Sequence, residues 1–332
     1  MMATQFPQVL HESLLKRTPR FRYNGGDVTE WQTKAREQLY RVLGMDEIPC
    51  CDPELDIEWE RDENGYHEYR FTFQTEPGYR AAAHLLVPQN AANPPVMICL
   101  QGHATGMHIS LGRPLYEGDD EDIAGDRDYA QQAVREGYAA LTLEQRAFGE
   151  CGGTEMGPAC NLPVSTALLL GRSLIGERVH DVMRTIDLLE SGVFPVDSKN
   201  VSITGNSGGG TTCIYAAAMD TRIAACMPCC SFCGYLASIG VQQHCMCNYV
   251  PGVARDFDMG DLAAMVAPRP FVSINGKLDR SFPLESAQEQ LEVAKIVYEA
   301  VGCSERCRLE IGPEGHRYYA ALAWPALKEA RG

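Results

Sequence analysis

The stretch Val201-Ser202-Ile203-Thr204-Gly205-Asn206-Ser207-Gly208-Gly209 joins an apolar run to a glycine-rich turn. The apolar part has strand character, and residues 209–219 have helical character. G-x-S-x-G between a strand and a helix is typical of a serine nucleophile on a sharp turn, whose neighbours two positions away must be small. Gly205 and Gly209 meet that need, and the start of a helix favours a developing negative charge. We therefore predict that Ser207 is a nucleophile.

On both sides of this turn, short apolar runs alternate with helical patterns. The candidate strands are residues 96–100, 139–143, 201–204, 224–229, 271–274 and 308–311. The candidate helices are residues 128–136, 177–190, 209–219, 284–301 and 318–329. This alternation predicts an α/β fold, a mostly parallel twisted sheet with helices on both faces. Two further runs, 66–73 and 79–87, are joined by a Pro-Gly turn and predict an antiparallel hairpin at one edge.

The chain of 332 residues contains no internal repeat and no low-complexity linker. Residues 28–44 have the apolar spacing of a helix and end at a glycine. We therefore predict an N-terminal helical extension over residues 1–60 that packs on the core, and a single catalytic domain over residues 61–332.

A serine nucleophile needs a general base, and the base needs a carboxylate that orients it. On this fold the chain order is serine, acid, histidine, and only His244 and His316 follow Ser207. His316 follows the last candidate strand, whereas His244 lies in an irregular segment, so we predict His316 as the base. Asp279 follows the strand 271–274 at the sheet edge where ligands bind, so we predict it as the acid. Three other carboxylates precede that strand and fit loop and helix-start positions: Asp256, Asp258 and Asp261.

Two backbone N–H groups are needed to stabilise the oxyanion of the tetrahedral intermediate. Gly208, directly after the nucleophile, supplies one of them. The loop after strand 96–100 has small residues that allow close approach, and from it we predict the N–H of His103, with Ala104 as the alternative. Substrate contacts are predicted for Ala104, Asn206, Asn248 and Tyr249.

With these positions in order, the chain resembles the α/β-hydrolase superfamily, in its acetyl xylan esterase and dienelactone-hydrolase-like branch, from about Trp31 to the C-terminus. Other segments that carry the resemblance are residues 143–150, 176–184 and 261–270. The residues that match the family's nucleophile, acid, base and oxyanion donors are Ser207, Asp279, His316, Gly208 and His103. The resemblance also implies that Arg146 is a structural ion-pair partner beneath the site. Dienelactone hydrolases proper have cysteine as the nucleophile, and serine at this position favours ester over lactone hydrolysis.

The resemblance implies a serine carboxylic ester hydrolase that acts through an acyl-enzyme, with small acetylated carbohydrates or similar short-chain esters as substrates. A peptidase of the prolyl-oligopeptidase type is an alternative, but the roughly 95 residues before the first core strand are too few for its usual propeller. A binding protein that keeps the fold without turnover is the other alternative. The complete serine, aspartate and histidine set argues against it.

The net charge of −15 argues against nucleic acid or an anionic membrane as a partner. The expected partner is a small-molecule ester, and assembly into a homo-oligomer stays open. The N-terminus has no basic region leading into an apolar core, so we expect no secretory signal and a cytoplasmic location.

Fourteen cysteines raise the question of a metal site. The pairs Cys226-x-x-Cys229 and Cys230-x-x-Cys233 have ligand spacing, with His244, Cys245 and Cys247 not far away. Alternate side chains of a strand point to opposite faces, so Cys229 and Cys230 could not both bind one ion there. We therefore predict inert, reduced thiols, no metal and no cofactor. The acidic segment 117–128 does not match a calcium loop and is predicted to be solvated.

Overall fold

The computed structural model describes residues 7–63 and 65–332. The strands in this part of the chain are β1 Asp56–Glu63, β2 Tyr66–Glu76, β3 Tyr79–Pro88, β4 Pro95–Leu100, β5 Ala139–Leu143, β6 Asp197–Asn206, β7 Ile223–Cys229, β8 Phe271–Gly276 and β9 Cys307–Gly312. The helices are α1 Pro7–Leu15, α2 Val28–Val42, α3 Asp119–Asp122, α4 Tyr129–Arg135, α5 Asn161–Leu169, α6 Leu174–Glu190, α7 Gly208–Met219, α8 Val253–Asp256, α9 Met259–Ala264, α10 Leu284–Ala300 and α11 Ala320–Arg331.

The strands form one sheet in the order β1-β2-β3-β5-β4-β6-β7-β8-β9. The first three are antiparallel to their neighbours, and β3 is also antiparallel to β5. From β5 across to β9 all pairs are parallel. The predicted α/β fold class, the six predicted core strands and the antiparallel hairpin are thus confirmed. The sequence did not predict β1, which extends the hairpin to a three-stranded edge.

Helices cover both faces of the sheet, as the alternation along β4 illustrates. Val96, Ile98 and Leu100 belong to the apolar cluster that includes residues of α2, α6 and α7. Met97 and Cys99 belong to the cluster on the other face, with residues of α4 and α11. All five side chains are fully buried, as expected for a central strand of a parallel sheet. The carboxyl ends of β4 and β6 are therefore fixed from both sides.

Helix α2 packs on this core. Ala35 and Leu39 of α2 are fully buried, and the Gln32 side chain donates to the carbonyl of Ala267 at 2.7 Å. The predicted boundary after residue 60 falls inside β1, whose pairing with β2 runs across it. The division into extension and catalytic domain stays a prediction. Across the described residues, the helices are all too short or too polar to cross a bilayer.

Candidate active site

Ser207 occupies a sharp turn between β6 and α7. Its backbone has φ 53° and ψ −121°, a conformation that a residue with a side chain rarely adopts. Its N–H donates to the carbonyl of Cys229 at 2.9 Å, which ties the turn to the end of β7. A Cβ atom on Gly205 would lie 2.6 Å from the carbonyl oxygen of Leu100, and one on Gly209 would overlap that same oxygen. The two glycines are therefore required because the end of β4 passes directly beside the turn.

Asp279 and His316 form a hydrogen-bonded pair. The Nδ1 atom of His316 lies 2.8 Å from Oδ2 of Asp279. The other oxygen of Asp279 accepts the N–H groups of Ser281 and Phe282 at 2.8 and 3.2 Å. The Asp279 side chain is fully buried, whereas that of His316 is 30% exposed, and the Phe282 ring stacks on the imidazole with ring centroids 5.8 Å apart.

The charge state of Asp279 follows from these contacts. Burial alone would raise the pKa of this carboxyl group. The hydrogen bond and charge of His316, together with the two backbone N–H donors, outweigh burial and hold the pKa below its usual value. Asp279 is thus an anion that orients His316.

Ser207 and His316 line the same cavity of about 240 Å³. Its other lining residues are Gln101, Gly102, His103, Ala104, Ile109, Arg127, Tyr129 and Asn206. The structure therefore brings Ser207, His316 and Asp279 together at the carboxyl edge of the parallel strands.

Two backbone N–H groups near Ser207 are available to a ligand. Within residues 7–63 and 65–332, neither the N–H of Gly208 nor that of His103 has an acceptor. The N–H of Ala104, the alternative donor, is engaged with the carbonyl of Gly102 at 2.8 Å. A Cβ atom on Gly102 would lie 2.8 Å from the carbonyl oxygen of Asn206, so glycine allows this loop to approach the nucleophile turn. The geometry therefore favours Gly208 and His103, rather than Ala104, as the two predicted oxyanion donors.

The rival residues have other partners. The Nε2 atom of His244 lies 3.1 Å from the Ser238 hydroxyl. Three rival carboxylates are engaged as follows: Asp256 with Arg255, Asp258 as the cap of α9, and Asp261 with Arg22. None of these four side chains lines the cavity with Ser207.

Of the predicted substrate contacts, Ala104 and Asn206 line the cavity. Asn248 and Tyr249 do not, which departs from the expectation from the sequence. The amide of Asn248 donates to the carbonyl of Cys245 in its own turn, at 3.2 Å. The Tyr249 hydroxyl accepts the N–H of His244, and its ring lines a separate groove. Local hydrogen bonds thus hold both side chains away from the cavity.

No protein-family model matches the chain. It is 26% identical over 303 residues to a Bacillus subtilis (strain 168) protein named "Putative hydrolase YtaP", covering 90% of this chain and 98% of that protein. A crystal structure from Bacteroides fragilis NCTC 9343, described as a "putative acetyl xylan esterase", superposes with a TM-score of 0.75 at 19% identity, covering 94% of this chain and 83% of the other. A glucuronoyl esterase from Solibacter usitatus superposes with a TM-score of 0.66 at 17% identity, covering 95% and 97% of the two chains.

The chain has the α/β-hydrolase fold. On an α/β-hydrolase fold, loops at the carboxyl ends of the strands carry the chemistry, and here the described residues 101–104, 207, 279 and 316 all come from such loops.

The cavity residues that sequence reasoning missed include Arg127 and Tyr129. Arg127 pairs with Asp122, and its Nη2 atom donates to the carbonyl of His316 at 3.4 Å. Its Nε atom is buried without a partner in the described chain. The acidic segment predicted to be a solvated loop therefore forms one wall of the site. In the sequence, the position of Arg127 among the carboxylates of this segment was the one feature that could have indicated its role.

Arg146 has the structural role that the resemblance implied. It lies in the loop after β5 and bonds to both oxygens of Asp181 at 2.8 Å and to Glu76 at 2.5 Å. Its guanidinium stacks over the Tyr79 ring at 4.0 Å. The cluster is buried and joins β2 to α6.

The cysteine pairs singled out in the sequence do not come together as one ligand set. Cys226 bonds to the carbonyl of Cys213 inside the core, and Cys229 contacts the carbonyl of Arg317. A different group of side chains is assembled at the loop that follows β4. Its potential ligand atoms all lie within 4.8 Å of one another, and it consists of His103, Cys160, Cys245 and Cys247. Sequence reasoning missed Cys160 because it belongs to no spaced motif.

Proposed function

We propose that the chain is a serine carboxylic ester hydrolase that forms an acyl-enzyme at Ser207. The observation that carries the proposal is the His316–Asp279 pair, whose histidine lines one cavity with Ser207. The likeness to esterases of carbohydrates supports it.

In the proposed reaction, His316 takes the proton of the Ser207 hydroxyl as this oxygen attacks the ester carbonyl carbon. Asp279 stabilises the resulting imidazolium, and the N–H groups of Gly208 and His103 bind the oxyanion. Collapse of the intermediate releases the alcohol, which takes the proton from His316. Water then attacks the acyl-enzyme with His316 as base and releases the acid.

We propose acetylated small carbohydrates, or similar short-chain esters, as substrates. The cavity of about 240 Å³ lies below the usual range for sites that hold drug-sized ligands, which favours a short acyl group. A cytoplasmic location and a neutral small-molecule partner complete the proposal. The fourteen cysteines are free, as in a reducing compartment, and the net charge of −15 disfavours polyanionic partners.

The first test is labelling with a fluorophosphonate probe, followed by kinetics with p-nitrophenyl esters from acetate to octanoate. We expect labelling of the unmodified protein, and a rate that falls with acyl length. Ser207→Ala abolishes labelling and lowers kcat by at least about 10⁴-fold, and Asp279→Asn lowers it by about 10³- to 10⁴-fold. Ser165→Ala, an exposed serine of α5, serves as the matched control and keeps full activity.

Acetylated sugars, a methyl ester of a uronic acid and aminoacyl anilides extend the panel. Faster cleavage of the anilides would replace the esterase proposal by a peptidase. Equal labelling of the Ser207→Ala protein would show that the nucleophile lies elsewhere.

A further inference from the structure

Beside the proposed oxyanion loop, three separate segments bring one imidazole and three thiols to one point. His103 follows β4, Cys160 directly precedes α5, and Cys245 and Cys247 belong to the irregular segment between β7 and α8. The Nε2 atom of His103 lies 3.1 Å from Sγ of Cys247, and Sγ of Cys247 lies 3.5 Å from Sγ of Cys245. With Cys160, all four potential ligand atoms lie within 4.8 Å of one another.

These separations, 3.1 and 3.5 Å for two of the pairs and at most 4.8 Å for the others, are near those of a tetrahedral site. Zinc binds thiolate sulfur at about 2.3 Å and imidazole nitrogen at about 2.0–2.1 Å, so ligand atoms at the corners of a tetrahedron are roughly 3.5–3.8 Å apart. One histidine and three cysteines are also a common ligand set of structural zinc sites. Soft thiolate ligands disfavour magnesium and calcium.

An apolar wall lies on the side of Cys160 and Cys247, whereas His103 and Cys245 are partly exposed. Cys160 and Cys247 are each only 2% exposed and pack with Phe148, Val164 and Leu174. Such an apolar wall excludes solvent from a metal site.

Arg178 provides a second, independent observation. Its side chain is 1% exposed, yet it has no carboxylate partner among residues 7–63 and 65–332. Its Nη2 atom donates to Sγ of Cys160 at 3.5 Å and to the carbonyl of Arg146 at 2.7 Å, and Nη1 is without a partner in the described chain. A buried guanidinium is costly without a nearby anion. Three thiolates and one neutral imidazole around Zn²⁺ carry a net charge of −1, which is the charge that Arg178 lacks.

We propose that this cluster is a structural zinc site with the ligands His103, Cys160, Cys245 and Cys247. Binding replaces the three thiol protons, which leave to solvent, and uses the Nε2 lone pair of the neutral imidazole. All four positions of the metal are filled by protein, so the site crosslinks chain segments and holds no substrate.

The proposed metal also acts on the oxyanion loop, and this part of the inference rests on the proposed function. The ring of His103 is directly beside the nucleophile turn, since a Cβ atom on Gly208 would lie 2.6 Å from its Nδ1 and Cε1 atoms. Fixing Nε2 to a metal fixes the residue whose backbone N–H is the proposed oxyanion donor. His103 is then a metal ligand through its side chain and an oxyanion donor through its backbone.

The decisive experiment measures metal in untagged protein grown with zinc. We expect mass spectrometry to find about one zinc per chain, and zinc K-edge absorption to show three sulfur neighbours at about 2.3 Å and one nitrogen at about 2.0–2.1 Å. This measurement needs no variant that has to fold. Protein without bound metal, an iron or copper site, a shell of oxygen and nitrogen only, or a disulfide between two of these cysteines would overturn the proposal.

The paired variants are C245S/C247S, which removes two ligands, and C50S/C51S, which removes two neighbouring cysteines outside the cluster. We expect the first to lose zinc and the second to keep it with full activity. If the metal positions His103, the first variant loses about 10- to 100-fold in kcat with little change in KM, a fraction of the cost of removing an oxyanion donor. Loss of zinc with unchanged kcat would overturn that link.

The S207A protein separates the two proposals. If the unmodified protein contains one zinc per chain but hydrolyses no ester, the esterase proposal is rejected and the proposed metal site is retained. Hydrolysis that S207A abolishes, in protein that never contains zinc, would do the reverse.

Discussion

Glu144 is a buried carboxyl group directly after β5, only 1% exposed. It bonds to the amide of Gln101, and its Oε2 atom accepts the N–H of Met107 at 3.0 Å. Burial raises its pKa to about 8, against the smaller opposing effect of the Met107 N–H. Glu144 is therefore largely protonated at neutral pH. The Oε1 atom of Gln101 is buried without a hydrogen-bond partner in the described chain. If the Gln101 amide is flipped, so that its oxygen and nitrogen exchange places, Oε1 accepts a hydrogen bond from the protonated carboxyl group of Glu144.

This raised pKa predicts a pH-dependent stability. The folded state binds a proton that the unfolded state releases above its pKa of 4.5, so the contribution of Glu144 is complete below about pH 4.5 and is lost as the pH rises to about 8. We expect Glu144→Gln, which is neutral at every pH, to remove a decline on the order of 3 kcal/mol in the free energy of unfolding between pH 5 and pH 8. Urea unfolding at several pH values measures it. Parallel curves for the two proteins would mean that Glu144 is ionised in the folded state.

The residues of the candidate site differ in how clearly the sequence marks them. Ser207, Asp279 and His316 each follow a strand that its apolar run marks in the sequence, and the chain order of the three residue types assigns their roles. Arg127 and Cys160 lie in irregular segments that approach the site only after the chain has folded, so no local pattern marked them. Asn248 was expected at the site as part of an irregular insert near the pocket mouth, but its amide is bound within its own turn.

At the level of elements, the close approach of β4, β6 and α7 positions Ser207. A Cβ atom on Gly209 would overlap the carbonyl oxygen of Leu100 and come within 2.5 Å of that of Gln101, both of which are backbone atoms that cannot rotate away. We expect Gly209→Ala to lower the free energy of unfolding by at least about 2 kcal/mol, because β4 and α7 must move apart. The same shift carries residues 102–104 away from Ser207 and lowers kcat.

Gly125→Ala is the matched control, since its backbone has φ −76° and the nearest atom to an added Cβ is 3.7 Å away. Chemical denaturation compares the two variants. Equal stability of both would show that β4 does not pass as closely to α7 as described.

The sequence predicted those strands that contain a run of apolar residues. Strands β4, β5, β7 and β8 and the second half of β6 are almost entirely buried between helices, and they appear in the sequence as apolar runs. Strand β1 has the sequence Asp-Ile-Glu-Trp-Glu-Arg-Asp-Glu, and nearly all of it is exposed, so no apolar run marks it. Its conformation comes from hydrogen bonds to β2, a partner that only the folded chain supplies.

For the whole molecule, the contacts of α2 indicate that this N-terminal helix unfolds together with the sheet. Leu39 of α2 is fully buried in the main apolar cluster, and Arg36 donates to the carbonyl of Ala218 at the end of α7. We expect Leu39→Ala to lower the free energy of unfolding by about 2–5 kcal/mol while one cooperative transition remains. The unfolding transition is measured by circular dichroism and by the loss of catalytic activity in the same urea series. Glu37→Ala, an exposed neighbour, changes stability by less than about 0.5 kcal/mol.

Two separate transitions, with activity retained after the first, would instead support an extension that is independent of the catalytic domain. Coincident transitions would make residues 28–43 part of the same cooperative unit as the sheet.

The exposed outer edge of β1 has a consequence for the behaviour of the protein in acid. This edge has unpaired backbone groups and two exposed apolar side chains, Ile57 and Trp59, and its neighbouring carboxylates repel a second copy of the strand. Acid strong enough to protonate carboxylates removes this repulsion. Intermolecular strand pairing would then no longer be opposed by charge, so acid precipitates of this protein should contain native-like molecules joined through β1 rather than unfolded chains.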